Sequence, residues 1–182
     1  MRLLIVVDMQ EDFVNGVFGF PEAKEIIEPI NKKIEEYHKN GDLVLFTQDS
    51  HTMESYEKTQ EGKVLPPHCL VNTKGFDIIK EFDQWKDLEK IVISKKWDSF
   101  SIDPDLLYEL VSDYTIGTTF ESVELVGLVT NICVLSCAVT VRCSLLSPRV
   151  IVDASCCRSF DPELHEKALD VMSGLLIDVI NR

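Results

Sequence analysis

No stretch of this sequence approaches the ~18 consecutive apolar residues of a membrane-spanning helix. The longest N-terminal run, Leu3 to Val7, is ended at once by Asp8. A secretory leader needs a longer apolar stretch and a small-residue cleavage site, so the expectation is a cytosolic protein. Basic residues are few: 18 Lys and Arg stand against 31 Asp and Glu, for a net charge of −13. They form no basic stripe, which argues against nucleic acid and against an anionic membrane surface as partners. No CxxC pair occurs among the six cysteines (Cys69, Cys133, Cys137, Cys143, Cys156, Cys157), so a zinc ribbon or thioredoxin-type site has no support. Without an export signal, the six are expected to be free thiols. Histidine is scarce too, with four in the chain, which gives weight to the two that fall near each other, His51 and His68. The 182 residues, 45% apolar and 27% charged, suit one globular domain with a sizeable core.

Short apolar runs alternate with helical patterns. LLIVV at 3–7 is continuous and rich in branched residues, as a strand buried on both faces should be. Residues 21–40 place Ile26, Ile27, Ile30, Ile34 and Tyr37 at helical spacing, and Asn40-Gly41 supplies a stop. Strands are expected at 43–49, 90–95, 122–129 and 149–154. Helices are expected at 103–111, 131–146 and 161–176, the first and last opened by Asp-Pro pairs that suit an N-cap and first helical position. After the strand at 43–49 comes a polar loop of about 25 residues containing Pro66-Pro67, of the kind that is usually functional in a compact domain. The alternation predicts a single α/β domain over 1–182, in three layers, with a mainly parallel sheet and helices on both faces. Ligands bind such sheets beyond the carboxyl ends of the strands, where the strand order reverses.

Three reactive residues fall just past predicted strand ends: Asp8, Lys95 and Cys133. Each alone has an ordinary explanation as turn residue, solvated lysine or small core residue. Together, at one edge of one sheet, they fit nucleophilic catalysis. The thiolate is the attacking species, and a helix N-terminus favours it. Asp8 could take the thiol proton and return it to a departing amine, and Lys95 would hold both charges in place. Backbone N–H groups before and at Cys133 could bind an oxyanion. His38 and His165 fall within helical patterns and are expected at the surface.

A second group lies in the long loop. Asp49 and His51, two apart, point the same way on an extended segment. Pro66-Pro67 presents His68 on a rigid arm, and Glu61 lies seven residues before His68. Two imidazoles and two carboxylates suit Zn²⁺, Mn²⁺ or Fe²⁺. By spacing alone an ordinary polar loop is the commoner explanation; the concentration of His here weighs against it.

These pieces resemble the isochorismatase-like cysteine hydrolases, and within them the nicotinamidases. The matching segments are IVVDMQEDF, FTQDSH, EGKVLPPHC, SKKWDSF and GLVTNICV, in family order from residue 4 to residue 134. The resemblance implies a Rossmann-like fold and a catalytic triad of Asp8, Lys95 and Cys133. It further implies a cis peptide between Leu128 and Val129 and an oxyanion hole from the N–H groups of Val129 and Cys133. It implies one divalent ion, zinc first and manganese or iron as alternatives, on Asp49, His51, Glu61 and His68. Metal-free relatives, acting on other small amides, carbamoyl compounds or vinyl ethers, lack that set. The implied reaction is nicotinamide hydrolysis to nicotinate and ammonia, a step in NAD salvage. Relatives are often dimers or tetramers, although no distinct interface patch shows in this sequence. Two departures from the family pattern stand out. An aromatic residue commonly found three before the Pro-Pro-His histidine is Leu65 here, with Phe13 as the other ring wall and Trp97 as the compensating aromatic. The lysine motif is compressed to Ser99-Phe100, which leaves Lys96 as the alternative to Lys95.

Overall fold

The computed structural model describes residues 1–182. Six parallel strands form one sheet in the order β3-β2-β1-β4-β5-β6. They are β1 (Leu3–Val7), β2 (Leu43–Ser50), β3 (Ile91–Trp97), β4 (Ser122–Leu128), β5 (Arg149–Arg158) and β6 (Asp178–Ile180). The helices are α1 (Glu11–Val14), α2 (Ile27–Lys39), α3 (Met53–Tyr56), α4 (Pro104–Tyr114), α5 (Leu135–Ser144) and α6 (Pro162–Gly174). None is long and apolar enough to cross a membrane.

Side-chain alternation along the strands sorts the core into two layers. Leu3, Ile5 and Val7 pack with Leu107 of α4, Cys137 and Val141 of α5, and Leu169 and Met172 of α6. Leu4 and Val6 pack on the other face with Ile30, Ile34 and Tyr37 of α2. Because both faces of β1 and β2 are covered, every residue of these strands is buried, which accounts for their unbroken apolar runs.

The caps expected from Asp-Pro are present. Asp103 accepts from the Asp105 N–H at 2.9 Å, and Asp161 accepts from the Glu163 and Leu164 N–H groups. Besides the extension of β5 to Arg158, four features differ from the sequence expectations. The helix predicted from 21 begins at Ile27, after a separate 3₁₀ turn at Pro21–Lys24. The helix predicted over 131–146 opens with a π-helical turn, Thr130–Val134, before α5. Here the Val134 N–H reaches back five residues to the Val129 carbonyl at 3.2 Å. The three-residue β6 is too short to carry a periodic signal. Finally, β3 runs two residues further than expected, to Trp97, and this last difference reassigns the site.

The strand order reverses between β1 and β4, which are direct neighbours. Gly127 is needed at that junction: a Cβ there would sit 2.2 Å from the Val7 carbonyl oxygen, and its φ is +116°. The chain beyond these two strand ends therefore leads into one crevice, where ligands of such sheets bind.

Candidate active site

Continued alternation along β1 would turn Asp8 toward α2 with Leu4 and Val6. Asp8 instead takes a left-handed backbone, φ +48°, which short polar side chains tolerate better than most. Its carboxylate then meets residues of the opposite face. Oδ1 accepts from Thr47 Oγ1 at 2.6 Å, and Oδ2 lies 2.7 Å from Lys96 Nζ. Oδ2 has no partner besides that ammonium, which leaves it lone-pair capacity for a further proton.

The residue beside Asp8 is thus Lys96, not Lys95. Both lie inside β3, where neighbours point to opposite faces. Register pairs Asp49 with Lys96 and Gln48 with Lys95. Lys96 is 3% exposed and lies on the face covered by α4 to α6. Its ammonium also donates to the Ser99 and Phe100 carbonyls at 3.3 and 3.2 Å. Lys95 is exposed, with Nζ 5.4 Å from the Phe76 ring and 5.5 Å from that of Trp97.

Cys133 sits in the π-helical turn and is buried, as are four of the other five free cysteines. Burial pushes its thiol well up, with the Lys96 ammonium pulling down and Asp8 pushing up. Burial also raises the Asp8 carboxyl, against the pull of Lys96. Burial works against the Lys96 charge, but Asp8 and the neighbouring acidic groups outweigh it and hold the ammonium. The resting trio is therefore one ion pair beside a neutral thiol. The Leu128–Val129 peptide is cis, and the Val129 N–H finds no acceptor within the chain.

The second group converges as well. Ligand atoms of Asp49, His51 and His68 all lie within 4.8 Å of one another, and all three residues are buried. Asp49 Oδ2 is 3.1 Å from both His51 Nε2 and His68 Nε2. Glu61 Oε1 stands slightly outside, 3.5 Å from His68 Nε2. Gln10, fully buried, fixes Asp49 by bonding its backbone N–H and carbonyl at 2.7 and 3.0 Å. The Pro66 carbonyl accepts from His68 Nδ1 at 3.0 Å, which leaves Nε2 toward the cluster. Burial opposes a charge on His51, but Asp49, and then Asp98, raise it to about 9. The cluster thus draws positive charge, and one carboxylate with two imidazoles fits a divalent cation.

Both groups open on one cavity of about 200 Å³, lined by Cys133 and Val129, by Asp49, Glu61 and His68, and by apolar side chains. Phe13 and Leu65 line it as expected. Trp97 does not: it follows Lys96 on the outward face of β3 and is 52% exposed. Phe18, Phe100 and Phe160 provide aromatic walls in its place. Phe13 and Phe18 stack at 6.1 Å, and both meet His68 edge-on. A larger cleft of about 320 Å³ around Lys74, Lys80 and Lys86 is lined by no cysteine, serine or histidine.

Residues 2–182 match the Isochorismatase domain family. A nicotinamidase of Saccharomyces cerevisiae is 24% identical, with both chains covered in full. A zinc-bound pyrazinamidase of Pyrococcus horikoshii superposes with a TM-score of 0.83 at 28% identity, over 100% of this chain and 99% of its own. A nicotinamidase of Bacillus subtilis gives 0.83 at 27%, over 98% of each. The chain belongs to the Isochorismatase domain family. Within it, the chain is an amidohydrolase of the nicotinamidase and pyrazinamidase branch.

Proposed function

We propose that this chain is a nicotinamidase, hydrolysing nicotinamide to nicotinate and ammonia as a step in NAD salvage. One observation carries the reading: a single small cavity is lined both by the buried Cys133, whose acid–lysine pair lies behind it, and by Asp49 and His68 of the cation-type cluster. At about 200 Å³ it falls below the ~300–1,000 Å³ of drug-sized pockets, so it suits one small ring. Its four phenylalanines favour a flat aromatic substrate.

Asp8 accepts the Cys133 thiol proton, and a carboxyl already raised by burial is the better base for a thiol. The thiolate attacks the carboxamide carbon. The N–H groups of Val129 and Cys133 receive the oxyanion, and the nearby Lys96 ammonium limits the charge the trio must carry. The intermediate collapses as the protonated Asp8 gives its proton to the departing ammonia, leaving a thioester on Cys133. Asp8 then deprotonates a water that hydrolyses the thioester and restores the thiol. Asp49, His51 and His68, with Glu61 at the margin, would hold one divalent ion. Zinc is the first choice for two imidazoles and a carboxylate, with manganese and iron the alternatives. When bound, the ion supplies a Lewis-acid anchor for a ring nitrogen.

The test is a coupled ammonia assay on nicotinamide, pyrazinamide, a non-aromatic amide and a carbamoyl amine. Nicotinamide should give the highest kcat/KM, with pyrazinamide accepted. Faster turnover of a non-aromatic amide or the carbamoyl compound would overturn the assignment while leaving the amidohydrolase class intact.

A further inference from the structure

We propose that Asp98 is a positioning residue for the metal, fixing the His51 tautomer that turns Nε2 toward the cluster. This rests on the divalent-ion reading above. Asp98 Oδ1 lies 2.7 Å from His51 Nδ1. A carboxylate can only accept there, so Nδ1 keeps its proton and Nε2 is the nitrogen that gives up its own to a cation. On Nε2's side stands Asp49 Oδ2, at 3.1 Å.

Placement of Asp98 follows from register. Ser50 of β2 pairs with Trp97 of β3, so the next residues, His51 and Asp98, come side by side beyond the strand ends. The Asp98 N–H donates to the Ser50 carbonyl at 3.1 Å, and the Ser55 hydroxyl donates to Oδ1 at 3.2 Å. Asp98 also has a left-handed backbone, φ +48°, in a residue that is not glycine. These contacts hold the carboxylate behind the imidazole.

The two histidines are therefore supported differently. His68 gives its Nδ1 proton to a neutral carbonyl, Pro66, whereas His51 gives its own to a carboxylate. A charged acceptor makes the stronger hydrogen bond and the more basic ligand nitrogen. His51 is thereby the anchoring imidazole of the pair, and Asp98 is the reason.

The experiment is a zinc titration of the demetallated full chain against a chromophoric chelator, with melting temperatures of the metal-free proteins alongside. Two variants suit the left-handed backbone. Asp98→Gly removes the carboxylate without strain, and Asp98→Asn keeps an oxygen acceptor without charge. Asp98→Gly should bind zinc about 10–100-fold more weakly than the wild type, as loss of such outer partners typically does. Asp98→Asn should recover part of that loss, and both metal-free variants should melt close to the wild type. Zinc affinity of Asp98→Gly within about twofold of the wild type, against that expected range, would overturn the proposal. A wild type that takes up no zinc would overturn the divalent-ion reading itself, and this inference with it.

Discussion

Replacing Lys96 by methionine removes the ammonium that stands 2.7 Å from Asp8 Oδ2 and leaves a carboxylate with no exposure to water. Breaking a buried pair by removing one partner costs about 3–5 kcal/mol. For a domain of this size each kcal/mol lowers Tm by about 2–4 °C, so the loss should be roughly 6–20 °C. The cost should depend on pH in a definite direction. Burial already raises the Asp8 carboxyl, and losing Lys96 raises it further. The folded variant then holds a proton that the unfolded chain releases near the ordinary Asp value of about 4. Where the native state binds more protons, stability falls as pH rises. The Tm deficit of Lys96→Met should therefore be small at acid pH, where both folded forms hold the Asp8 proton, and widen once pH passes the wild type's own raised Asp8 value. Turnover should fall by about 10²–10⁴-fold near neutrality, because a protonated Asp8 cannot accept the thiol proton. Lys95→Ala is the control. Its cation–π contacts with Phe76 and Trp97 contribute at most about 0.5–1 kcal/mol at an exposed site, and turnover should be unchanged. Ammonia release and thermal melts from pH 4.5 to 8 measure both variants. If Lys95→Ala loses more activity than Lys96→Met, the face assignment of β3 is wrong.

Cys133→Ala should abolish ammonia release, a loss on the order of 10⁶-fold, while Cys137→Ala, one helical turn further on, should keep most of it; residual turnover in Cys133→Ala would end the covalent mechanism. Phe100→Ala opens a wall of the cavity and should raise KM for nicotinamide, whereas Trp97→Ala, outside it, should not; steady-state kinetics of the pair would expose the reverse ranking.

The strand–helix alternation was legible because both faces of β1, β2 and β4 are covered, which makes their apolar runs continuous. Asp8, Cys133, Asp49 and His51 could be placed together because each follows or ends a strand at the same edge, and His68 was brought to them by its rigid Pro66-Pro67 arm. The lysine could not. Ile91, Val92 and Ile93 are all apolar, so β3 carries no alternation from which to set its phase. Only pairing with β2 shows that Lys96 shares a face with Asp49. Trp97 was misplaced by the same unset phase. The walls Phe18 and Phe160 were missed because they reach the cavity through tertiary folding: Phe18 in the turn after α1, Phe160 between β5 and α6. Asp98 was hidden for a related reason, since an aspartate after a strand looks like any turn residue until its neighbour across the sheet is known.

The acid of this site is delivered by a central strand and its lysine by the outermost one, with Thr47 on the strand between them also bonded to the acid. Chemistry is thus wired across three strands to a border that has only one neighbour. A border strand detaches more readily than the middle of a sheet. If β3 peels away, the lysine leaves with it, and Asp98 moves off His51 in the same event. Both halves of the site would fail together while the rest of the sheet stays folded. Activity in this enzyme is accordingly a gauge of how firmly its last strand is fastened.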